Sequence, residues 1–265
     1  CGSRDWHETA LHTVSAYATA SGLCLGQEHT RGKGHEIPAI KALLDTLALK
    51  GCIVTIDAIG CQTEIARKIL DRGGDYLLAV KDNQKDLADA LREFFADGEP
   101  RGFGSLPVSR FQSLEKAHGR IETRQAMWVT NLSWLDKKLR EHWPKLAGLG
   151  MIERQREING AVSTERAYYI GSQGIKSAES FAKAARDHWG IENSLHWVLD
   201  ITFREDDCRV RKGHAPHNFA ALRKFALALL RKDTQFPKRS LRSRRKTAER
   251  LPDYRASLLG LSSRS

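Results

Sequence analysis

The chain has 265 residues, of which 41% are apolar, with a formal net charge of +11 and a sequence pI near 9.6. That apolar fraction can offset the entropy of ordering a sizeable core, which excludes disorder throughout and suits one large domain or a domain carrying an insertion. Charge of this sign points to a polyanionic partner, nucleic acid before any acidic small molecule, and leaves open only a basic enzyme without such a partner. The five cysteines, Cys1, Cys24, Cys52, Cys61 and Cys208, form no CxxC pair and read as free thiols of a reducing compartment. No apolar run reaches bilayer length and no signal-peptide order opens the chain, so the expected setting is cytoplasmic, without a membrane.

From Ala10 to Ala18 the residues alternate as in a half-buried strand, and LCLGQEHT from Leu23 follows the turn residues Ser21-Gly22. The two predict a hairpin. Apolar residues at Ile37, Ile40, Leu43, Leu44 and Leu47 predict a helix over Glu36 to Leu49, leading into CIVTIDAI, a continuous β-branched run expected to be a strand buried on both faces. Gln62 to Arg72 reads as a helix ended by Gly73-Gly74, and DYLLAV from Asp75 as a second buried strand, together a βαβ unit. A helix over Gln84 to Ala96 gives way to Gly, Pro and Ser at residues 98–109, a boundary or insertion point. Strands are expected over Arg120 to Thr130, Ile152 to Ile158 and Thr164 to Ile170, the last two joined through Asn159-Gly160, followed by helices over Ser177 to Leu199 and Asn218 to Leu230. Beyond Pro237, KRSLRSRRKTAER is either a solvated tail or a DNA-contacting arm.

Two acids stand out. Asp57 ends the apolar strand, where open α/β sheets bind ligands; the competing reading is a capping aspartate for the helix near Gln62. If RDHWGIENSLHWVLD is helical, His188, Glu192, His196 and Asp200 fall on one stripe, costly to bury without partners. That stripe suits a zinc site, a hard-cation site in which Asp57 and Glu192 hold magnesium, or a surface face pairing internally. Two-metal phosphoryl chemistry needs more than two acids; a third is expected from a strand before Cys1, and Asp5 sits in a loop-like setting that does not recommend it.

The segments TIDAIGCQTEIARKILDRGGDYLLAVKDNQ, HGRIETR and RDHWGIENSLHWVLDITFREDDCRVRKGHAPHNFAALRKFALALL closely resemble the ISAs1 family of bacterial insertion-sequence transposases, the H-repeat-associated proteins of the DDE group. The resemblance covers nearly the whole chain. It implies an α/β fold, an RNase-H-like mixed sheet flanked by helices, with a β-rich insertion before the last catalytic helix. Residues 1–97 would form the first part of the core, 98–175 the insertion, 176–235 the last part and 236–265 a basic tail.

The implied activity is metal-dependent strand cleavage and transfer at terminal inverted repeats of double-stranded DNA, with Mg2+ or Mn2+, by a homodimer in the bacterial cytoplasm at the nucleoid. On this resemblance Asp57 is the second catalytic acid and Glu192 the third. The first lies in a DGK segment that precedes an arginine-glycine-serine step, and only Gly2-Ser3 of that stretch remains here, so the chain is expected to be truncated at its N-terminus. Candidate DNA contacts are Lys81, Asn83, Gln84, His118, Arg120, Arg209 and Arg211. Trp189 and Trp197 could stack on an unpaired base, although the helical spacing of their neighbours favours a place in the core. An inactive DNA-binding remnant and a nuclease without end specificity stay open beside a working transposase.

Overall fold

The structure is a computed structural model that describes residues 12–30, 32, 34–117, 120–210 and 212–261. In chain order the strands are β1 (His12–Ala18), β2 (Leu23–Thr30), β3 (Ile53–Ile56), β4 (Asp75–Val80), β5 (Val108–Ala117), β6 (Arg120–Val129), β7 (Gly148–Ile158) and β8 (Ala161–Gly171). The helices are α1 (Glu36–Thr46), α2 (Thr63–Asp71), α3 (Lys85–Gly98), α4 (Lys137–His142), α5 (Ala178–Ile191), α6 (Trp197–Phe203), α7 (Ala215–Lys232), α8 (Leu241–Arg250) and α9 (Pro252–Leu258). They group into two compact units, Leu47–His188 and Cys1–Thr46 with Trp189–Ser265, the division falling inside α5.

The unit Leu47–His188 is built on a six-stranded mixed sheet ordered β3-β4-β8-β7-β6-β5. β3 and β4 run parallel in the register Ile53↔Asp75 to Ile56↔Leu78, with α2 as their crossover, and every other pairing is antiparallel. Tyr76, Leu77, Leu78 and Val80 of β4 are buried, as a continuous apolar run predicts for an interior strand. β3 departs from its expectation. It lies at the edge of the described sheet with β4 as its partner, and Ile53 is 40% exposed.

Helices flank both faces. On one, Ala178, Phe181 and Ala185 of α5 recur at helical spacing against Ala126, Trp128, Ile152 and Tyr169. Gly150 makes that approach possible: a Cβ there would lie 2.7 Å from Phe181 and from Trp128. On the other face α3 buries Leu87, Ala88, Leu91 and Phe95, with the Phe95 ring 6.1 Å from Tyr168 of β8. The β7–β8 turn has Asn159 and Gly160 at φ 51° and 80°, the left-handed pair that a two-residue hairpin needs.

β5 lies outside the strands expected from the sequence, because VSRFQSLEKA carries few apolar residues; its far half is held by charge instead. Glu122 of β6, 3% exposed, sits among Arg124, Arg154 and Arg156, which the register Glu122↔Arg156 and Arg124↔Arg154 gathers on one face. Strands β5 to β8, which correspond to the expected insertion, are thus continuous with β4 in a single sheet.

The unit of Cys1–Thr46 with Trp189–Ser265 pairs the β1–β2 hairpin, His12↔Thr30 to Ala18↔Leu23 with a bulge at Ala16/Tyr17, with a set of helices. α1 ends at Thr46 rather than Leu49 and buries Ala39, Ile40, Leu43 and Leu44. Leu195, Val198, Leu199 and Leu227 form a core with Tyr17, Cys24, Ile191, Phe203 and Leu241 around it. The basic segment after Pro237 is folded rather than extended: α8 and α9 are anchored by Arg244, whose guanidinium donates to the carbonyls of Leu230, Pro237 and Arg239 at 2.8, 2.8 and 3.0 Å.

Candidate active site

Asp57 follows the last residue of β3 and opens the 3-10 turn Ala58–Gly60. Its side chain caps neither that turn nor α2, whose N-cap is Gln62, so the capping reading fails. The carboxylate is exposed and, among the described residues, makes no hydrogen bond or ion pair. The loop beneath it is nevertheless fixed. Gly60 and Cys61 donate to the carbonyls of Asp57 and Ala58 at 3.1 Å each. From the turn after β4, Asn83 Nδ2 donates to Ala58 O at 2.7 Å and Gln84 Nε2 to Cys61 O at 2.9 Å. Because β3 and β4 are parallel neighbours, both turns leave the same C-terminal edge of the sheet, where α/β sheets present ligand sites.

Asn83 and Gln84, expected to contact DNA, therefore spend their amide groups on the loop that carries Asp57. Lys81 is exposed at the same strand end. Asp82, the nearest other acid in that turn, is held by Arg92 at 2.6 Å. His188, near the end of α5, has its Nδ1 3.2 Å from Thr55 Oγ1, two residues before Asp57. A surface cavity lined by Gly73, Gly74, Asp75 and Lys176 opens at the other, N-terminal end of β4 and includes none of the candidate residues.

Glu192 belongs to the other unit and begins a π-helical turn, Glu192–His196, between α5 and α6. Such turns are rare and concentrate at functional sites, since one residue too many per turn leaves carbonyls to be satisfied from elsewhere. Here Arg231 of α7 supplies the donor: its guanidinium binds Ser194 O and also Gly22 O, at 2.7 Å, and the Tyr17 hydroxyl, at 3.1 Å. Of the expected four-residue stripe, Glu192 and Asp200 lie close enough to His196 to act on its imidazole. His188 bonds Thr55, whereas Glu192 is exposed and its carboxylate, like that of Asp57, makes no hydrogen bond or ion pair among the described residues.

Desolvation holds the His196 imidazole below its ordinary pKa, helped by the Lys224 ammonium and opposed by Asp200 and Glu192. Burial pushes Asp200 up, with Asp206 adding to the effect. Lys224, 9% exposed, is itself lowered by burial and donates to Gln27 Oε1 at 2.6 Å.

Of the remaining candidates, Arg209 is exposed, the backbone of Arg120 lies in β6, and His118 and Arg211 fall outside the described residues, as do Asp5 and Gly2-Ser3. Trp189 and Trp197 are not core: they are 38% and 59% exposed. With Leu195 and Leu199 turned inward, Trp197 stands about 200° round the helix, on the opposite side.

The profile described as "Transposase DDE domain" matches residues 2–229. The chain belongs to the DDE transposase family. It is 39% identical over 254 residues to "H repeat-associated putative transposase YhhI" of Escherichia coli strain K12, covering 94% of this chain and 66% of that protein. "Putative protein YbfL" of the same strain gives the same figures, and "Putative transposase YncI" of Escherichia coli O157:H7 is 41% identical over 84% of this chain and 56% of its own length. The chain thus spans a little over half to about two thirds of these relatives.

As a DDE domain with the mixed, helix-flanked sheet of RNase-H-like proteins, it offers carboxylate oxygens, which suit a hard divalent cation. A thiolate-rich zinc site does not fit: Cys61 is fully buried and burial pushes its thiol up to about 12. No group of three or more His, Cys, Asp or Glu side chains among the described residues is gathered closely enough to hold a metal. No described helix is long and apolar enough to cross a membrane. The support that Asn83, Gln84 and Arg231 lend was not legible locally, for their partners lie 25, 23 and 37 residues away.

Proposed function

We propose that this chain is the catalytic part of a DNA transposase that cleaves and joins strands at the terminal inverted repeats of its element. Asp57 and Glu192 hold a divalent cation, magnesium or manganese, together with an acid from outside the described residues. The observation that carries this reading is the state of Asp57: an exposed carboxylate, uncommitted to any cap or ion pair among the described residues, on a loop pinned at the C-terminal edge of a parallel strand pair. Fixed donors facing an open edge cost little reorganisation when a ligand arrives. Supporting it, the Glu192 carboxylate is equally uncommitted among the described residues.

When bound, such cations activate the attacking water or 3′-hydroxyl and stabilise the leaving oxygen. The chain's own groups do the positioning. Asn83 and Gln84 hold the Asp57 loop, and Arg231 holds the π turn that presents Glu192. The names of the relatives agree with this activity, and the basic charge suits its substrate.

The test uses a protein that contains the whole of this chain and cleaves duplex DNA bearing the element ends when given Mg2+ or Mn2+. Asp57→Asn and Glu192→Gln should each abolish metal-dependent cleavage and leave the melting midpoint and metal-free DNA affinity unchanged. Cleavage by either variant at the unmodified rate would remove that residue from the mechanism.

A further inference from the structure

Between Lys238 and Arg255 the chain carries eight Lys or Arg residues against two acids, and this segment lies beyond the residues matched by the family profile. The five that belong to α8 fall into two sets. Arg244 and Arg245 point inward. Arg244 is 9% exposed and satisfied by backbone carbonyls, and Arg245 binds the carbonyl of Thr202 with its guanidinium 5.6 Å from the Phe203 ring. The other set is Arg242, Lys246 and Arg250. At about 100° per residue they lie within about 80° of one another, centred some 160° from Arg244. All three are exposed and make no hydrogen bond or ion pair among the described residues.

By contrast, Arg92, Arg124, Arg154, Arg166 and Arg186 of the sheet unit are each paired with a carboxylate. Unneutralised like charges on successive turns repel, so the stripe is held against its own electrostatics. What holds it is the anchoring below. Ser240 caps α8 by accepting from Ser243 N at 3.2 Å, Arg244 fixes its underside, and Tyr254 of α9 donates to Asp233 at 2.8 Å.

We infer that Arg242, Lys246 and Arg250 of α8, with Lys238 just before it, form a docking surface for the phosphate backbone of double-stranded DNA. The inference rests on the DNA-transposase reading and assigns one of its DNA contacts. The three cations span about 12 Å along the helix, and duplex DNA presents a phosphate about every 3.4 Å of axis on each strand, so a single strand can engage all of them. One acid, Glu249, shares the exposed side. Every exposed residue of α8 is charged, which favours a polyanion over a lipid surface, where an exposed apolar face would be needed. A basic stripe of this kind contacts backbone and carries no base readout.

The whole chain is titrated with duplex DNA of unrelated sequence, without divalent metal, across a salt series. Each phosphate contact contributes about 0.9 to the slope of log affinity against log salt, so R242Q/K246Q/R250Q should flatten the slope by about 2 to 3 while its melting midpoint stays put. Each single substitution should remove about 0.9, which keeps the test valid if the triple variant folds poorly. R242K/R250K, with the charge retained, should keep the original slope. An unchanged slope in folded variants overturns the inference alone. The inference falls equally if the substitutions weaken only sedimentation with anionic vesicles or binding to single-stranded RNA. Absence of DNA binding by the unmodified chain overturns the transposase reading as well.

Discussion

Replacing Asn83 and Gln84 together by alanine separates two roles for these residues, holding the Asp57 loop or touching DNA. Each side chain gives one neutral hydrogen bond to a loop carbonyl, at 2.7 and 2.9 Å, the first exposed and the second partly buried. Such bonds contribute about 0.5–1.5 kcal/mol each, the exposed one toward the lower end, so the pair stabilises the closed loop by about 2 kcal/mol. At about 1.4 kcal/mol per factor of ten, the open loop becomes roughly 30-fold more populated in the double variant. The amides of Gly60 and Cys61, which donate within the loop, report this directly by hydrogen exchange. They should exchange about 30-fold faster, while the amides of β4 and the affinity for DNA at fixed salt remain as before. Unchanged protection at Gly60 and Cys61, accompanied by weaker DNA binding, would refute the positioning role and restore Asn83 and Gln84 as DNA contacts.

Glu122→Gln strips the charge from a carboxylate that is 3% exposed and shared by Arg124, Arg154 and Arg156. Removing one partner of a buried ionic cluster costs about 3–5 kcal/mol, and the partial exposure of these arginines reduces that to roughly 2–3 kcal/mol. The melting midpoint should drop by about 5–10 °C by calorimetry, whereas a drop under a degree would mean the arginines are solvated well enough to dispense with Glu122. A pH effect follows from His29, whose imidazole is lowered from 6.5 chiefly by burial and then by His217 and Lys224. A base with a depressed folded pKa contributes stability that is present above its unfolded value and lost as pH falls through the folded one. The chain should therefore melt at lower temperature as pH drops below about 6.5, and His29→Gln should lose less over that window. An identical loss in both proteins would assign the pH dependence to other groups, such as His196, which is lowered for the same leading reason.

Most elements were legible because their periodicity is local. The run DYLLAV, the helix bearing Leu87, Leu91 and Phe95, and the Asn159-Gly160 turn each announce themselves within a few residues. β5 was not, since a strand held by ion pairs to its neighbours carries little apolar signal of its own. The basic C-terminal stretch was ambiguous for a related reason. Charge density says what a segment attracts, and only packing decides that Arg244 turns inward while Arg242 turns out.

Composition, hydrophobic patterning and the long shared motifs were sufficient by themselves to determine the α/β class, the βαβ unit, the DDE family and the two acids worth testing. Tertiary structure alone decided that Asp57 caps nothing, that Asn83 and Gln84 brace its loop, and that the helix widens into a π turn at Glu192 under the hold of Arg231. The physical reason is range. Helix and strand periodicity is set by neighbours three or four residues away, whereas a side chain's bonding is set by whichever distant polar group the fold leaves in need of a partner.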